Sequence, residues 1–111
     1  MDARVRAAID IMRRFPAGQL SIHSLSKSVN LSPSRLRQLF SKETGRSPMQ
    51  YVRQARMQRA QELLQNTFLS VKEVAFSIGV RDVSHFVRDF KKLCGQTPSE
   101  FRAKATRQYK R

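Results

Sequence analysis

The chain has 111 residues, a length that suits one domain or two very small domains sharing a core. It carries 22 Lys and Arg against 8 Asp and Glu, which gives a formal net charge of +14 and a sequence pI of about 11.5. The short length argues against a large enzyme with a deep cleft. The positive charge and the high pI favour an extended anionic partner, with nucleic acid ahead of a membrane surface.

The charge is distributed over a chain that is able to fold. Hydrophobic residues make up 40% of the sequence, and basic residues are interleaved with them. No apolar run approaches the roughly 18 residues of a membrane helix, and the first residues lack the apolar stretch of a signal peptide. We therefore expect a cytoplasmic protein. The single cysteine, Cys94, excludes an internal disulfide and a Cys-rich zinc site and fits a reducing compartment.

The first two predicted helices precede residue 31. Apolar residues recur at three- and four-residue intervals over positions 1–15, with arginines largely on the opposite face, which indicates an amphipathic helix. The apolar set is Val5, Ala8, Ile9, Met12 and Phe15. "PAG" at Pro16–Gly18 is expected to end this helix. Ser21 is a suitable N-cap for a short second helix that runs to about Asn30, a residue that suits a turn.

The third and fourth predicted helices each begin at a Ser-Pro pair. In Ser32–Pro33 the serine oxygen can cap an orphan amide, and proline occupies the first helical position, where no donor is needed. That helix is predicted to run to Gly45. Ser47–Pro48 repeats the signal and opens a longer helix that Asn66 closes.

Three further helices are predicted in the second half. Ser70–Glu73 is a capping box that opens a helix running to Gly79. Asp82 caps the next helix, and Gly95 follows its end. The apolar residues expected on the buried face of that helix are Phe86, Phe90 and Leu93. Thr97–Glu100 opens a last, short helix. With no alternating strand pattern, the sequence predicts an all-α fold of about seven helices.

An internal repeat relates the two halves. "FSKETGRSP" at 40–48 recurs as "FKKLCGQTP" at 90–98, and residues 20–51 align with 69–101 after one inserted residue in the turn. Apolar positions of the two copies agree, while surface positions mostly differ. Each copy reads as a short helix, a tight turn, a second helix and a capped exit. This is the helix-turn-helix plan, in which the second helix enters the major groove of DNA.

The spacing of the copies suits duplex DNA. A helix from Pro48 to about Gln65 would span on the order of 27 Å at roughly 1.5 Å per residue. Successive major grooves on one face of B-DNA lie roughly 34 Å apart. We therefore expect a first helix-turn-helix subdomain at 1–47, a linker helix at 48–66 and a second subdomain at 67–111. Two recognition helices would then lie in adjacent grooves.

Nearly the whole chain resembles the DNA-binding domain of the AraC/XylS family of bacterial transcription regulators. The resemblance is carried by "LSPSRLRQLFSKETGRSPMQYV", by "RAQELL" and by "SVKEVAFSIGVRDVSHFVRDFKKLCGQTPSEFR". It implies seven helices, two helix-turn-helix subdomains and control of transcription by promoter binding, with activation as the expected mode and RNA polymerase as a candidate partner. Family members often carry a preceding sensing or dimerising domain, so the chain is either a minimal regulator or part of a longer one.

The first recognition helix is expected to read bases with one polar stripe. Leu36, Leu39 and Phe40 face inward, so the polar residues at helical spacing form the opposite face. The predicted base-reading residues are Ser34, Arg37, Gln38 and Ser41. Arginine suits guanine and glutamine suits adenine, each good pair contributing roughly 1 to 3 kcal/mol of discrimination. The flanking residues assigned to phosphates are Arg35 and Lys42.

The second recognition helix is less polar and is expected to read more loosely. Its predicted base-reading residues are Val83, Ser84, Val87 and Arg88. The valines could meet thymine methyl groups. Residues assigned to phosphates in the rest of the chain are Ser21, Ser70, Arg81, Lys91 and Lys92. Family base contacts fall on positions that match Ser34, Arg37, Gln38 and Arg88, so the resemblance implies the same stripes.

Other interpretations stay open. Arg37 and Arg88 are alternatively solvated surface arginines or partners of nearby acids. Asp89 is expected to pair with an arginine of the linker helix, such as Arg53 or Arg56. His23 and His85 stand outside any metal-binding pattern, so local hydrogen bonding is expected for them, and Cys94 is expected to be structural. No cofactor is expected. The rival function is a non-specific nucleic-acid or anionic-surface binder.

An enzyme is a poor third possibility, because no Ser-His-Asp order, paired carboxylates, phosphate-binding glycine loop or metal spacing occurs in the sequence. A monomer is expected for this domain in isolation. If both helix-turn-helix units bind one site, a monomer already covers an asymmetric DNA element, so a palindrome is not required.

Overall fold

The computed structural model describes residues 1–14 and 20–109, and these residues form seven α-helices and no strand. In chain order the helices are α1 (Ala3–Arg14), α2 (Ile22–Ser28), α3 (Pro33–Thr44), α4 (Pro48–Asn66), α5 (Val71–Ser77), α6 (Val83–Cys94) and α7 (Pro98–Tyr109). The predicted all-α class is confirmed. Two predictions, Phe15 on the apolar face of α1 and the helix end at Pro16–Gly18, fall outside the described residues.

Serine and aspartate side chains begin the helices of both helix-turn-helix units, as the sequence predicts. Ser32 Oγ accepts a hydrogen bond from the backbone N–H of Arg35 at 3.1 Å, with proline at the first helical position of α3. Asp82 Oδ1 accepts one from the N–H of His85 at 3.2 Å and so begins α6. These bonds satisfy donors that a helix start otherwise leaves unpaired.

Four helix starts form reciprocal capping boxes. At α5 the Ser70 hydroxyl and the Glu73 carboxylate accept each other's backbone N–H bonds, at 3.0 and 2.9 Å. Ser21 and Ser24 do the same at α2, which the sequence analysis did not anticipate beyond Ser21 itself. The pairs at the starts of α4 and α7 are Ser47 with Gln50 and Thr97 with Glu100. Each box closes two otherwise orphaned donors.

Left-handed residues terminate helices and form the two turns. Gly45 and Gly95 have φ of 74° and 78° and donate to the carbonyls of the last turn of α3 and α6. In the turns, Asn30 has φ 59° and Gly79 has φ 84°. The sequence predicted that the short helices α2 and α5 run to about Asn30 and to Gly79, but they end two residues earlier, at Ser28 and Ser77. The backbone N–H groups of Asn30 and Gly79 donate to the carbonyl three residues earlier, as in a turn. The last helix is longer than predicted, with 12 residues.

The described chain divides into two compact units, Met1–Ala55 and Arg56–Arg111, and each has its own core. The first core contains Val5, Ala8, Ile9, Met12, Leu25, Val29, Leu36, Phe40 and Val52. The second contains Met57, Ala60, Leu64, Val74, Ala75, Ile78, Phe86 and Phe90. Phe101 packs partly buried against the second core. The helix α4 has the bounds predicted for the linker, while the three-part division into 1–47, 48–66 and 67–111 stays a prediction.

One core prediction is wrong. Leu93 is 46% exposed instead of lying on the buried face of α6 with Phe86 and Phe90. Leu93 stands seven positions after Phe86 and points within about 20° of it, so its exposure does not come from helix rotation. It lies in the last turn of α6. Cys94, four positions after Phe90, packs against the core in this last turn, and Gln61 Nε2 donates to its Sγ at 3.1 Å.

Candidate nucleic-acid interface

The helix α3 buries one side and exposes the polar stripe predicted to read bases. Leu36 and Phe40 are fully buried, and Leu39 packs partly buried against the same core. Their burial fixes the rotation of α3 about its own axis, since side chains repeat every 3.6 residues. The exposed residues on the other side are Ser34, Arg35, Arg37, Gln38, Ser41 and Lys42. The structure thus brings the six predicted side chains of α3 together on one solvent-facing surface.

The helix α6 exposes a shorter polar stripe. Ser84 and Arg88 are exposed and stand four residues apart, so they lie one turn from each other on the same face. Lys91 and Lys92 are also exposed, as is Arg81 in the segment before the helix. Val83 and Val87, in contrast, are half-buried, so part of each valine already contacts protein. This face therefore presents fewer polar groups than the matching face of α3.

The two serines assigned to phosphate differ in their surroundings. Ser21 shares its capping box with another neutral serine, whereas Ser70 shares its box with Glu73. Hydrogen bonds from the backbone and side chain of Ser70 hold the pKa of the Glu73 carboxyl below its usual value. Glu73 is therefore ionised at neutral pH and places a negative charge at the start of α5. That charge disfavours a phosphate near Ser70 and leaves Ser21 as the better candidate.

Asp89 has a partner that the sequence analysis did not consider. Its Oδ2 lies 3.1 Å from His85 Nε2, one helical turn earlier on α6. An i, i+4 neighbour on the same helix is reached at little conformational cost. The pairing expected with Arg53 or Arg56 of α4 stays a prediction. The signal that could have identified the pair is the His-x-x-x-Asp spacing inside a predicted helix. The local role expected for His85 agrees with this contact.

Residues 1–14 and 20–109 contain no cluster of three or more His, Cys, Asp or Glu side chains placed to hold a metal ion. No helix in this part of the chain is long and apolar enough to cross a membrane.

The chain is similar to bacterial regulators over most of its length. The helix-turn-helix domain family matches residues 25–104. The arabinose operon regulatory protein of Escherichia coli is 38% identical over 104 residues, which cover 93% of this chain and 36% of that protein. The chain spans about a third of the length of the curated relatives it matches.

Solved structures agree with this match. The C-terminal domain of AraT, a response regulator from Geobacillus stearothermophilus, has a TM-score of 0.89 and 30% identity, and the alignment covers 93% of this chain and 86% of that one. A probable AraC family transcriptional regulator from Rhodopseudomonas palustris has a TM-score of 0.81 and 27% identity, with 94% and 98% covered. The sequence match, the seven helices and the repeated helix-turn-helix units agree: the chain belongs to the AraC-type helix-turn-helix family of DNA-binding domains.

Proposed function

We propose that this chain binds double-stranded promoter DNA sequence-specifically and regulates bacterial transcription as an activator. The observation that carries the proposal is the exposed polar stripe on the second helix of each repeat, opposite a buried apolar side. A merely basic surface would not need a polar stripe on the second helix of both copies. Family membership and the similarity to an operon regulatory protein support the same function.

Base reading is assigned to the stripes of α3 and α6. Arg37 binds the O6 and N7 atoms of a guanine, Gln38 binds an adenine, and Arg88 supplies the main base contact of the second unit. Ser34, Ser41 and Ser84 add hydrogen bonds, and the exposed parts of Val83 and Val87 contact thymine methyl groups. Phosphates are bound by Arg35, Lys42, Arg81, Lys91 and Lys92, with Ser21 at the start of α2 as a further contact. Ser70 at the start of α5 is assigned a weaker phosphate contact, because the Glu73 carboxylate lies beside it.

We further propose that α3 and α6 occupy adjacent major grooves of one site. The helix between the two helix-turn-helix units, α4, has 19 residues. At roughly 1.5 Å per residue it spans on the order of 28 Å, comparable to the repeat of the duplex. In this proposal a monomer binds an asymmetric element, has no catalytic role, works in the cytoplasm at the nucleoid and contacts RNA polymerase at the promoter.

The test is selection of bound duplexes from a random-sequence pool, near physiological salt and with excess competitor DNA. We expect an asymmetric motif with two short blocks about one helical turn apart. Repeating the selection with Arg37→Ala should relax one block and leave the other unchanged. Arg59→Ala is the matched control, because Arg59 is an exposed arginine on α4 that pairs with Glu62 at 3.1 Å. That variant should select the wild-type motif.

The rival function predicts a different result. A non-specific binder of nucleic acids or anionic surfaces would enrich no motif, although its binding would still weaken with salt. Arg37→Ala and Arg59→Ala would then weaken binding equally, since each removes one positive charge. That outcome would refute sequence-specific reading by this chain.

A further inference from the structure

We propose that His85 binds a DNA phosphate as an imidazolium, positioned by Asp89, so that the second recognition helix binds DNA together with a proton. The inference rests on the proposed function and adds to it a phosphate-binding residue that the sequence analysis did not assign. It also predicts a difference between the two helix-turn-helix units, because only the second would bind DNA in a pH-dependent way.

The position of His85 in the internal repeat is the first argument. Ser34 aligns with Ser84 and Lys42 with Lys92, so His85 occupies the place that Arg35 holds in the first copy. Both residues lie on the same flank of the polar stripe and are exposed. In α3 this flank offers a permanent cation to the DNA backbone. An imidazole at the same place can replace that cation only when both ring nitrogens carry protons.

The contact with Asp89 is the second argument. The side chain of His85 is 58% exposed and that of Asp89 is 33% exposed, with His85 Nε2 at 3.1 Å from Asp89 Oδ2. When Nε2–H donates to the carboxylate, a protonated ring retains Nδ1–H as a donor for a phosphate oxygen. The ion pair also neutralises Asp89, which is the residue in α6 that aligns with the apolar Leu39 of α3.

Other charged residues lie on α6 and on the helices that neighbour it in the second unit. The segment before α6 and α6 itself contribute Arg81, Asp82, Arg88, Lys91 and Lys92 besides Asp89. The neighbouring helices contribute Arg56, Arg59 and Glu62 from α4, Lys72 and Glu73 from α5, and Glu100, Arg102 and Lys104 from α7. Cations outnumber carboxylates in this set, while the carboxylate of Asp89 lies 3.1 Å from the His85 ring.

Bound DNA adds negative charge near the His85 ring. A phosphate beside the ring favours the imidazolium, so complex formation takes up a proton wherever the free imidazole is neutral. Affinity must then rise as pH falls, and level off once the ring is protonated in the free protein as well.

The experiment measures dissociation constants of the full chain between pH 5.5 and 8.5 at constant ionic strength. Two probes are used: the duplex enriched by the selection above, and a mixed-sequence duplex of the same length. We expect wild-type affinity for the enriched duplex to fall about three- to tenfold across this range. His85→Ala should bind weakly and without this pH dependence, while His85→Arg should bind tightly at every pH.

His23→Ala is the matched control, because His23 is an exposed histidine on α2 and should leave the wild-type pH profile intact. Circular dichroism checks that each variant is folded. An unchanged pH profile in His85→Ala would overturn the inference, even with an enriched motif in hand. Failure of the selection is a separate result that refutes the proposed function. The pH profile of binding to the mixed-sequence duplex would then test His85 by itself. Loss of pH dependence in His85→Ala on that duplex would support the phosphate contact of His85.

Discussion

Asn30 occupies the turn of the first helix-turn-helix unit in a conformation that most residues avoid. Its φ is 59°, and the turn of the second unit has Gly79 at φ 84°. Glycine adopts left-handed geometry without steric cost, and asparagine tolerates it better than other residues with a side chain. The two copies therefore place different residues in the left-handed conformation that the turn requires.

This pairing predicts the effect of substitutions at Asn30. Asn30→Ala should lower the free energy of unfolding by about 1 kcal/mol, because alanine is less tolerant of left-handed backbone. Asn30→Gly should leave it nearly unchanged. Urea unfolding followed by circular dichroism measures both, with Gly79→Ala as the matched substitution in the other copy. Equal stability of the alanine and glycine variants at position 30 would show that the turn imposes no such constraint.

Carboxylates at two helix starts couple stability to pH at the scale of secondary structure. Glu73 caps α5 and Glu100 caps α7, each by accepting a backbone N–H three residues earlier. Hydrogen bonds from Ser70 and Thr97 lower the pKa of these carboxyl groups from their ordinary value. A lowered pKa in the folded state means that stability is fully present above the unfolded-state pKa and is lost as pH falls through the folded-state value.

We therefore expect acid to weaken these helices through the two glutamates. The melting temperature of the wild type should fall as pH drops below about 4.3, the ordinary pKa of glutamate. In Glu73→Gln with Glu100→Gln the fall should be shallower, because glutamine keeps the capping geometry but does not titrate. Thermal melts at pH 3 to 6 provide the measurement. Glu62→Gln, which lies outside any capping box, is the control, and an equal change in that variant would contradict the assignment.

The last turn of α6 offers a second test at this scale. Phe90→Ala should lower the free energy of unfolding by about 3 to 5 kcal/mol, because Phe90 is fully buried. Leu93→Ala should change it by less than about 0.5 kcal/mol, because Leu93 is largely exposed. Denaturant titration of both variants decides the matter. A large loss in Leu93→Ala would place this side chain in a packed contact instead of in solvent.

At the scale of the whole molecule, the proposed function and the two separate cores together predict that the units read DNA independently. Arg37 belongs to the unit Met1–Ala55 and Arg88 to the unit Arg56–Arg111. Arg37→Ala and Arg88→Ala should each cost about 1 to 3 kcal/mol of binding to the selected duplex. In the double variant the two losses should add within about 0.5 kcal/mol, because distant sites without shared partners act independently. Titrations of a fluorescent duplex with the wild type, both single variants and the double variant measure these losses. A double-variant loss that differs strongly from the sum would show that the two helices do not read DNA independently.

Much of this protein could be predicted from the sequence because the relevant signals are local. The caps at Ser32, Ser70 and Asp82, the left-handed glycines and the helical spacing of apolar residues each depend on a few neighbouring positions. The exposed stripe on α3 follows from the same periodicity, since the burial of Leu36 and Phe40 leaves only one face for the polar residues.

Other properties depended on packing and were decided only by the tertiary structure. The spacing that placed Leu93 with Phe86 and Phe90 could not show that Cys94 faces the core in the last turn of α6. Likewise, the charges could not identify His85 as a partner of Asp89, because an aspartate surrounded by many basic residues has several possible contacts. By itself the sequence determined the helices, their ends and the repeat, since hydrogen bonding and periodicity act over a few residues. The tertiary structure decided which side chains meet, since that depends on how rigid helices fill a common core.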